Sequence, residues 1–259
     1  MTFIYKEASV FYTDSGEGET LVLLHGFLEY SGMWEAFIPE LSKTNRVICV
    51  DLLGHGKTDC LGYVHSMELM SETVCAVLRH LNIAKVNLVG HSMGGYVALA
   101  FADNWPEMVS GLCLLNSTAE ADSIERKQNR TRAIEAVKNN HKLFIRMAIA
   151  NLFWPENRNR FANQIKETIK EATKTPLQGI IAALEGMKIR QDRQHVLKNA
   201  SFKTLIIAGE KDPVLFYKSI VRQAEANNTP VVSFPDGHMS HIENSTEFLN
   251  EIAHFIEKK

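Results

Sequence analysis

"VGHSMGGYVALA", residues 89–100, is the stretch whose reading decides the fold. It closes an apolar run, "KVNLVG" (85–90), and opens a segment of good helix formers, Tyr96 to Ala100. Between them Ser92 stands in Gly90-His91-Ser92-Met93-Gly94, a G-x-S-x-G pattern. A strand that turns sharply into a helix at a serine lifts the hydroxyl clear of the sheet and makes it a nucleophile elbow. Gly90 and Gly94 suit a turn where strand and helix come too close for a Cβ. The helix N-terminus beneath favours negative charge. A serine that only caps the helix is the plainer reading of the same residues. G-x-G-x-x-G is absent, which disfavours a dinucleotide site.

Around this turn, short apolar runs alternate with longer amphipathic segments. "TLVLLHG" (20–26), "RVICVD" (46–51), "KVNLVG" (85–90), "GLCLLNS" (111–117), "KTLIIAG" (203–209) and "PVVSFPD" (230–236) read as strands. Their nearly continuous apolar character suits strands buried on both faces of a parallel sheet. Segments 34–43, 66–82, 93–104, 215–227 and 243–257 read as helices. The N-terminal residues read as an antiparallel hairpin on the sheet edge. The alternation implies a doubly wound α/β fold with right-handed crossovers. It breaks once: residues 119–200 show helical pattern and no strand. We expect a core of 1–118 and 201–259 with a helical cap of 119–200 over the carboxyl ends of the strands, where ligands sit in open α/β sheets.

The composition narrows the function. A chain of 259 residues with 45% hydrophobic content can build one large core. A net charge of −2 gives no reason to expect nucleic acid. The four cysteines, Cys49, Cys60, Cys75 and Cys113, are scattered, which argues against a disulfide framework or a zinc site. No metal and no cofactor is expected. The N-terminus lacks a signal-peptide pattern and no stretch approaches 18 apolar residues, so a cytoplasmic setting without a membrane span is expected.

A serine hydroxyl is a weak nucleophile; it needs a base, and the base needs an orienting acid. "IIAGEKDPV" puts Asp212 just past one strand, and "SFPDGHMSHIEN" puts His238 just past the next. The order Ser92, Asp212, His238 is the one that accompanies this elbow. Glu120 and Asp122, after the "GLCLLNS" strand, are rival acids. Oxyanion donors are expected from the backbone N–H groups of Met93 and Phe27, the latter in "LLHGFLEYSGMW". His25 in that loop reads as structural. His241 lies three residues from His238, but no third ligand cluster supports a metal.

"HGF", "DLLGHGKTD", "GHSMGG", "GEKDPV" and "GHMSHIEN" occur in an order and spacing that resembles the alpha/beta-hydrolase superfamily. Within it the chain looks most like small capped serine carboxylesterases. The resemblance covers the chain outside 119–200. It implies a mostly parallel sheet with helices on both faces and an inserted cap. It also sets the base immediately after Gly237, hence His238 rather than His241. Thr58 stands where the family usually has serine, and Asp51, His55 and Gly56 read as scaffold. Capped epoxide hydrolases and dehalogenases carry an aspartate at the elbow, unlike this chain. Menaquinone-pathway lyases of this fold have an arginine where Tyr96 stands.

The expected activity is therefore hydrolysis of a small carboxylic ester or thioester through an acyl-enzyme. A lyase or acyltransferase on the same triad, and a small-molecule receptor of the same fold, stay open as alternatives. Expected pocket walls are Leu28, Val214 and Met239 from the core, and Phe144, Met147, Phe153 and Trp154 from the cap. Residues 119–200 carry 16 Lys and Arg against 9 Asp and Glu, an asymmetry that could draw anionic ligands or simply mark a solvated helical surface.

Overall fold

The computed structural model describes residues 1–257. Eight strands are β1 (Thr2–Tyr5), β2 (Ala8–Ser15), β3 (Glu19–Leu24), β4 (Asn45–Val50), β5 (Val86–His91), β6 (Val109–Leu115), β7 (Lys203–Gly209) and β8 (Val231–Phe234). They form a single sheet in the order β1-β2-β4-β3-β5-β6-β7-β8. The pairs β1/β2 and β2/β4 are antiparallel and all others parallel, so the expected N-terminal hairpin lies at the edge. The chain order reverses between β3 and β5, which run side by side. A crevice opens at the carboxyl ends of strands at such a switch point. The loop after β3 and the turn after β5 therefore meet there.

The helices are α1 (Ile38–Leu41), α2 (Met67–His80), α3 (Met93–Asn104), α4 (Ile124–Ala150), α5 (Ala162–Ala172), α6 (Leu177–Lys188), α7 (Gln194–Lys198), α8 (Tyr217–Ala226), α9 (Ser240–Glu243) and α10 (Ser245–Glu257). Both faces of the sheet are covered, as the strands themselves record. Val22 and Leu24 of β3 join the apolar cluster of α2 and α3, whereas Leu21 and Leu23 join that of Trp34, Phe248 and Ile252. Alternate side chains point to opposite faces, so a strand buried on both sides must be apolar throughout.

Two helices are shorter or more broken than their periodicity suggests. The helix expected over 34–43 is a single 3-10 turn, Ser31–Trp34, followed by the four residues of α1, where Pro39 stands in the first turn. The helix expected over 243–257 is interrupted at Asn244, between α9 and α10.

The segment between β6 and β7 holds α4 to α7 and no strand. Ser123 caps α4 by accepting the Arg126 N–H at 3.2 Å. The helix kinks at Asn140 (φ −156°, ψ 86°). Its two halves thus present faces that one continuous periodicity does not describe. No helix among the described residues is long and apolar enough to cross a membrane.

Candidate active site

Ser92 sits between β5 and α3 with φ 50° and ψ −113°, a conformation that L residues avoid. The surroundings hold it there. Its N–H donates to Leu115 O at 2.9 Å, and its carbonyl accepts from Gly95 N at 3.0 Å and Ser117 Oγ at 2.8 Å. A Cβ on Gly94 would stand 2.3 Å from Leu24 O, so the elbow closes against the end of β3 only with glycine there. Leu28 after β3 and Asn116 after β6 also have positive φ, 64° and 45°. Strained backbone thus marks the carboxyl ends of three neighbouring strands.

Asp212 follows β7 and His238 follows β8. His238 Nδ1 lies 2.7 Å from Asp212 Oδ2. A carboxylate oxygen accepts, so Nδ1 carries the proton and Nε2 keeps its lone pair. Asp212 Oδ1 accepts the N–H groups of Val214 (2.7 Å) and Leu215 (2.9 Å). Burial opposes ionisation of Asp212, but the His238 ring and these two N–H groups outweigh it and hold its carboxyl below the usual range. Asn116 adds a contact not expected from the sequence: its Nδ2 donates to Asp212 Oδ2 and to Gly237 O, each at 3.2 Å. Its position at the end of the "GLCLLNS" strand, between the strands that lead to Ser92 and Asp212, was the available signal.

The rival acids are not free for this role. Asp122 is buried, is gripped by Arg130 and Arg190, and has Arg126 Nε at 3.6 Å. Burial opposes its ionisation, yet the arginines hold its carboxyl below the usual range. Glu120 is exposed. His25 is structural, as expected: Leu52 N–H donates to its Nε2 at 2.8 Å, and its Nδ1 faces Gly26 O at 2.7 Å. Asp51 and Thr58 likewise serve the scaffold, accepting N–H groups of Ser31, Lys57 and Phe11.

A cavity of about 410 Å³ joins these parts. Ser92, His238, Phe27 and Leu28 line it, with Val214, Tyr96, Leu184 and Met187. Ile149 and Leu152 close it from the end of α4, and Arg126, Asn129 and Arg130 from its start. The Phe27 amide has no protein acceptor among the described residues. Met93, next to Ser92, is fully buried at the head of α3.

Five expected wall residues lie elsewhere. Met147 is 56% exposed and points away from the cavity. Phe144 packs on the core cluster beside it. Phe153 is fully buried, 6.3 Å from the Phe161 ring. Trp154 lies under Lys211 Nζ at 4.0 Å, and its backbone N–H donates to Glu243 Oε1. Met239 is fully buried in the core. Beyond the α4 kink at Asn140, Ala148, Ile149 and Leu152 line the cavity, whereas Phe144 and Met147 do not. Arg126 and Arg130, taken from the sequence only as part of a bulk charge count, are the unexpected charged lining.

Glu29, His91 and His241 form a buried trio whose ligand atoms lie within 4.8 Å of one another. It does not offer a metal site as it stands. His91 Nδ1 faces Glu29 Oε2 at 2.6 Å and His91 Nε2 faces His238 O at 2.9 Å, so His91 has no lone pair to offer a metal and only His241 and Glu29 would remain as ligands.

The family model described as alpha/beta hydrolase fold matches residues 19–245. An esterase from Thermogutta terrifontis, solved with malate bound, is 30% identical, with a TM-score of 0.90 over 98% of this chain and 96% of that one. The dihydrolipoyllysine-residue acetyltransferase component of the acetoin cleaving system of Pseudomonas putida is 32% identical over 94% of this chain, which spans only 65% of that protein. The 3-oxoadipate enol-lactonase 1 of Acinetobacter baylyi is 27% identical over 87% of this chain and 84% of that one.

Proposed function

This chain belongs to the alpha/beta hydrolase family, and from that premise we propose that it is a serine hydrolase of small carboxylic esters, with Ser92, His238 and Asp212 as its catalytic triad. The observation that carries the reading is the meeting of a strained elbow serine and an Asp212-bound histidine in one cavity.

His238 Nε2 takes the proton of Ser92 Oγ as the oxygen attacks the acyl carbon. The tetrahedral oxyanion is held by the N–H groups of Phe27 and Met93. His238 then gives its proton to the departing alcohol, and Ser92 is left acylated. Water attacks this ester with its proton passing to His238, and the acid leaves with Ser92 restored. Asp212 holds the imidazole in the required tautomer throughout and stabilises the imidazolium. Residues 119–200 act as the cap, shaping the cavity through α4 and α6.

The substrate class follows from the same cavity. Arg126 and Arg130 line it, and with Arg190 they set three guanidiniums against one buried carboxylate, Asp122. Glu125, also on the lining, still leaves this end of the cavity cationic. An ester that carries a carboxylate away from the scissile bond suits it. The relatives point the same way, since malate and 3-oxoadipate are both carboxylates.

The test is a panel of activated esters and acyl thioesters, with and without a distal carboxylate, run beside a fluorophosphonate probe. Free acid is the expected product; an acylated acceptor would mark a transferase. Ser92→Ala is expected to stay folded, lose activity by on the order of 10³-fold or more, and lose labelling. Labelling that persists in Ser92→Ala would overturn the assignment.

A further inference from the structure

One buried contact ties together the loop after β3, the Ser92 elbow and the His238 loop. Glu29 lies on the loop after β3, the loop that holds Phe27. His91 immediately precedes Ser92. The carbonyl on the far side of the His91 ring belongs to His238 itself. Glu29 Oε2 accepts the Gly26 N–H at 2.7 Å and faces His91 Nδ1 at 2.6 Å. His91 Nε2 faces His238 O at 2.9 Å. The side chains of both residues are nearly withdrawn from water, at 1% and 3% exposure for His91 and Glu29.

The two ring nitrogens constrain the protonation state. A carbonyl oxygen only accepts, so Nε2 must carry a hydrogen. Nδ1 then either donates to a carboxylate or accepts from a neutral acid. The carboxylate is favoured by its other neighbour, the Gly26 N–H, which donates to it at 2.7 Å. We propose that Glu29 and His91 are a buried carboxylate–imidazolium pair that positions the oxyanion loop and the His238 loop against the Ser92 elbow. This rests on the reading of Ser92 as a hydrolase nucleophile.

The groups that face His91 from the elements around it are Glu29 and His25 from the loop after β3, Asp212 after β7, and His238 and His241 after β8. Burial pushes the His91 pKa down, but the charge and hydrogen bond of Glu29, followed by the His238 carbonyl and Asp212, raise it above the ordinary value. Burial likewise opposes ionisation of Glu29, and the His91 charge outweighs it and brings the carboxyl to about 2. His241, buried beside them, goes the other way, to about 3, and stays neutral. One imidazole of the neighbouring pair is charged and the other is not.

In this scheme His91 and Glu29 are positioning residues, and the charge on the ring is what lets it donate in two directions at once. A neutral His91 can hold the Glu29 loop or the His238 carbonyl by an N–H, but not both.

The deciding experiment is ¹⁵N NMR of the histidine rings in the native chain at pH 8, above the ordinary histidine pKa of about 6.5. Both His91 nitrogens should be protonated. In E29Q one should be unprotonated, and kcat should fall about tenfold or more with KM within threefold, because ground-state binding is spared while the oxyanion and base geometry loosens. A native His91 with one bare nitrogen overturns the proposal, and so does a folded E29Q with native kcat. If E29Q does not fold, the native spectrum alone decides the charge state. Fluorophosphonate labelling of the native chain separates the two readings. Its absence overturns the hydrolase assignment, whereas intact labelling with a singly protonated His91 overturns the ion pair alone.

Discussion

His238 Nδ1 donates to Asp212 Oδ2 across 2.7 Å, with the two side chains only 2% and 3% exposed. The pair joins the loops after β7 and β8 at one point beneath the cavity. Because Nδ1 is engaged, the lone pair of a neutral His238 ring is on Nε2. In Asp212→Asn the amide can donate to Nδ1, which selects the other tautomer and leaves Nε2 protonated. We expect kcat to fall by on the order of 10⁴-fold, less completely than in Ser92→Ala, with the fold intact. Steady-state kinetics and a thermal melt check this, and a loss smaller than tenfold would take the acid role from Asp212.

Arg126 is the freer of the two arginines on the cavity. Its side chain is 33% exposed and its contacts are long, 3.6 Å to Asp122 and 3.4 Å to Val214 O. Arg126→Gln should lower kcat/KM for a carboxylate-bearing ester about tenfold relative to its neutral isostere. That corresponds to a charge-assisted hydrogen bond of about 1.5 kcal/mol or more. An unchanged ratio between the two esters would remove the anionic subsite.

The cavity should limit substrate size. At about 410 Å³ and closed by Ile149, Leu152, Leu184 and Met187, it suits short to medium acyl groups. Each buried methylene adds about 0.8 kcal/mol until the wall is met, after which length brings clashes. kcat/KM should therefore rise from acetyl to a short or medium chain and then fall steeply. Leu184→Ala should move the optimum to longer chains. A preference for long-chain emulsified triglycerides would contradict this.

Thermal stability should peak at about pH 7. Burial holds His55 and His241 at about 3, His65 at about 4 and His25 also below its ordinary value, so all four fold as neutral rings. The unfolded chain binds their protons as pH falls below about 6.5, and stability drops. Below 4.5 the loss steepens, because Glu29 at about 2 stays ionised in the folded chain while its unfolded counterpart takes a proton. His91 acts in the opposite sense. Its raised pKa stabilises fully below 6.5, and that contribution is lost as pH rises through the folded value. Melting temperatures from pH 4 to 9 check both limbs, and a flat profile from 4.5 to 7 would refute the acid limb.

Much of this molecule was legible in its sequence because local chemistry dictated it. Strands buried on both faces must be apolar throughout, so all six parallel strands stood out. The turn around Ser92 needs glycine where β3 and α3 crowd it, so the elbow was visible as a short motif. Asp212 and His238 were legible because they lie on the short turns just past β7 and β8, and a strand's end is fixed by the sheet.

The cavity walls were decided only by tertiary structure. The apolar run "KLFIRMAIANLFW" suggested Phe144, Met147, Phe153 and Trp154, but periodicity says which residues share a face and not where that face points. Met147 meets solvent, while Arg126 and Arg130 from the polar start of α4, before its Asn140 kink, line the cavity. The same holds for the contacts that cross the sheet's edge. Glu29 and His91 are 62 residues apart, and Asn116 and Asp212 are 96 apart. No local rule couples them; only the reversal of strand order between β3 and β5, and the adjacency of β6 and β7, brings each pair within reach.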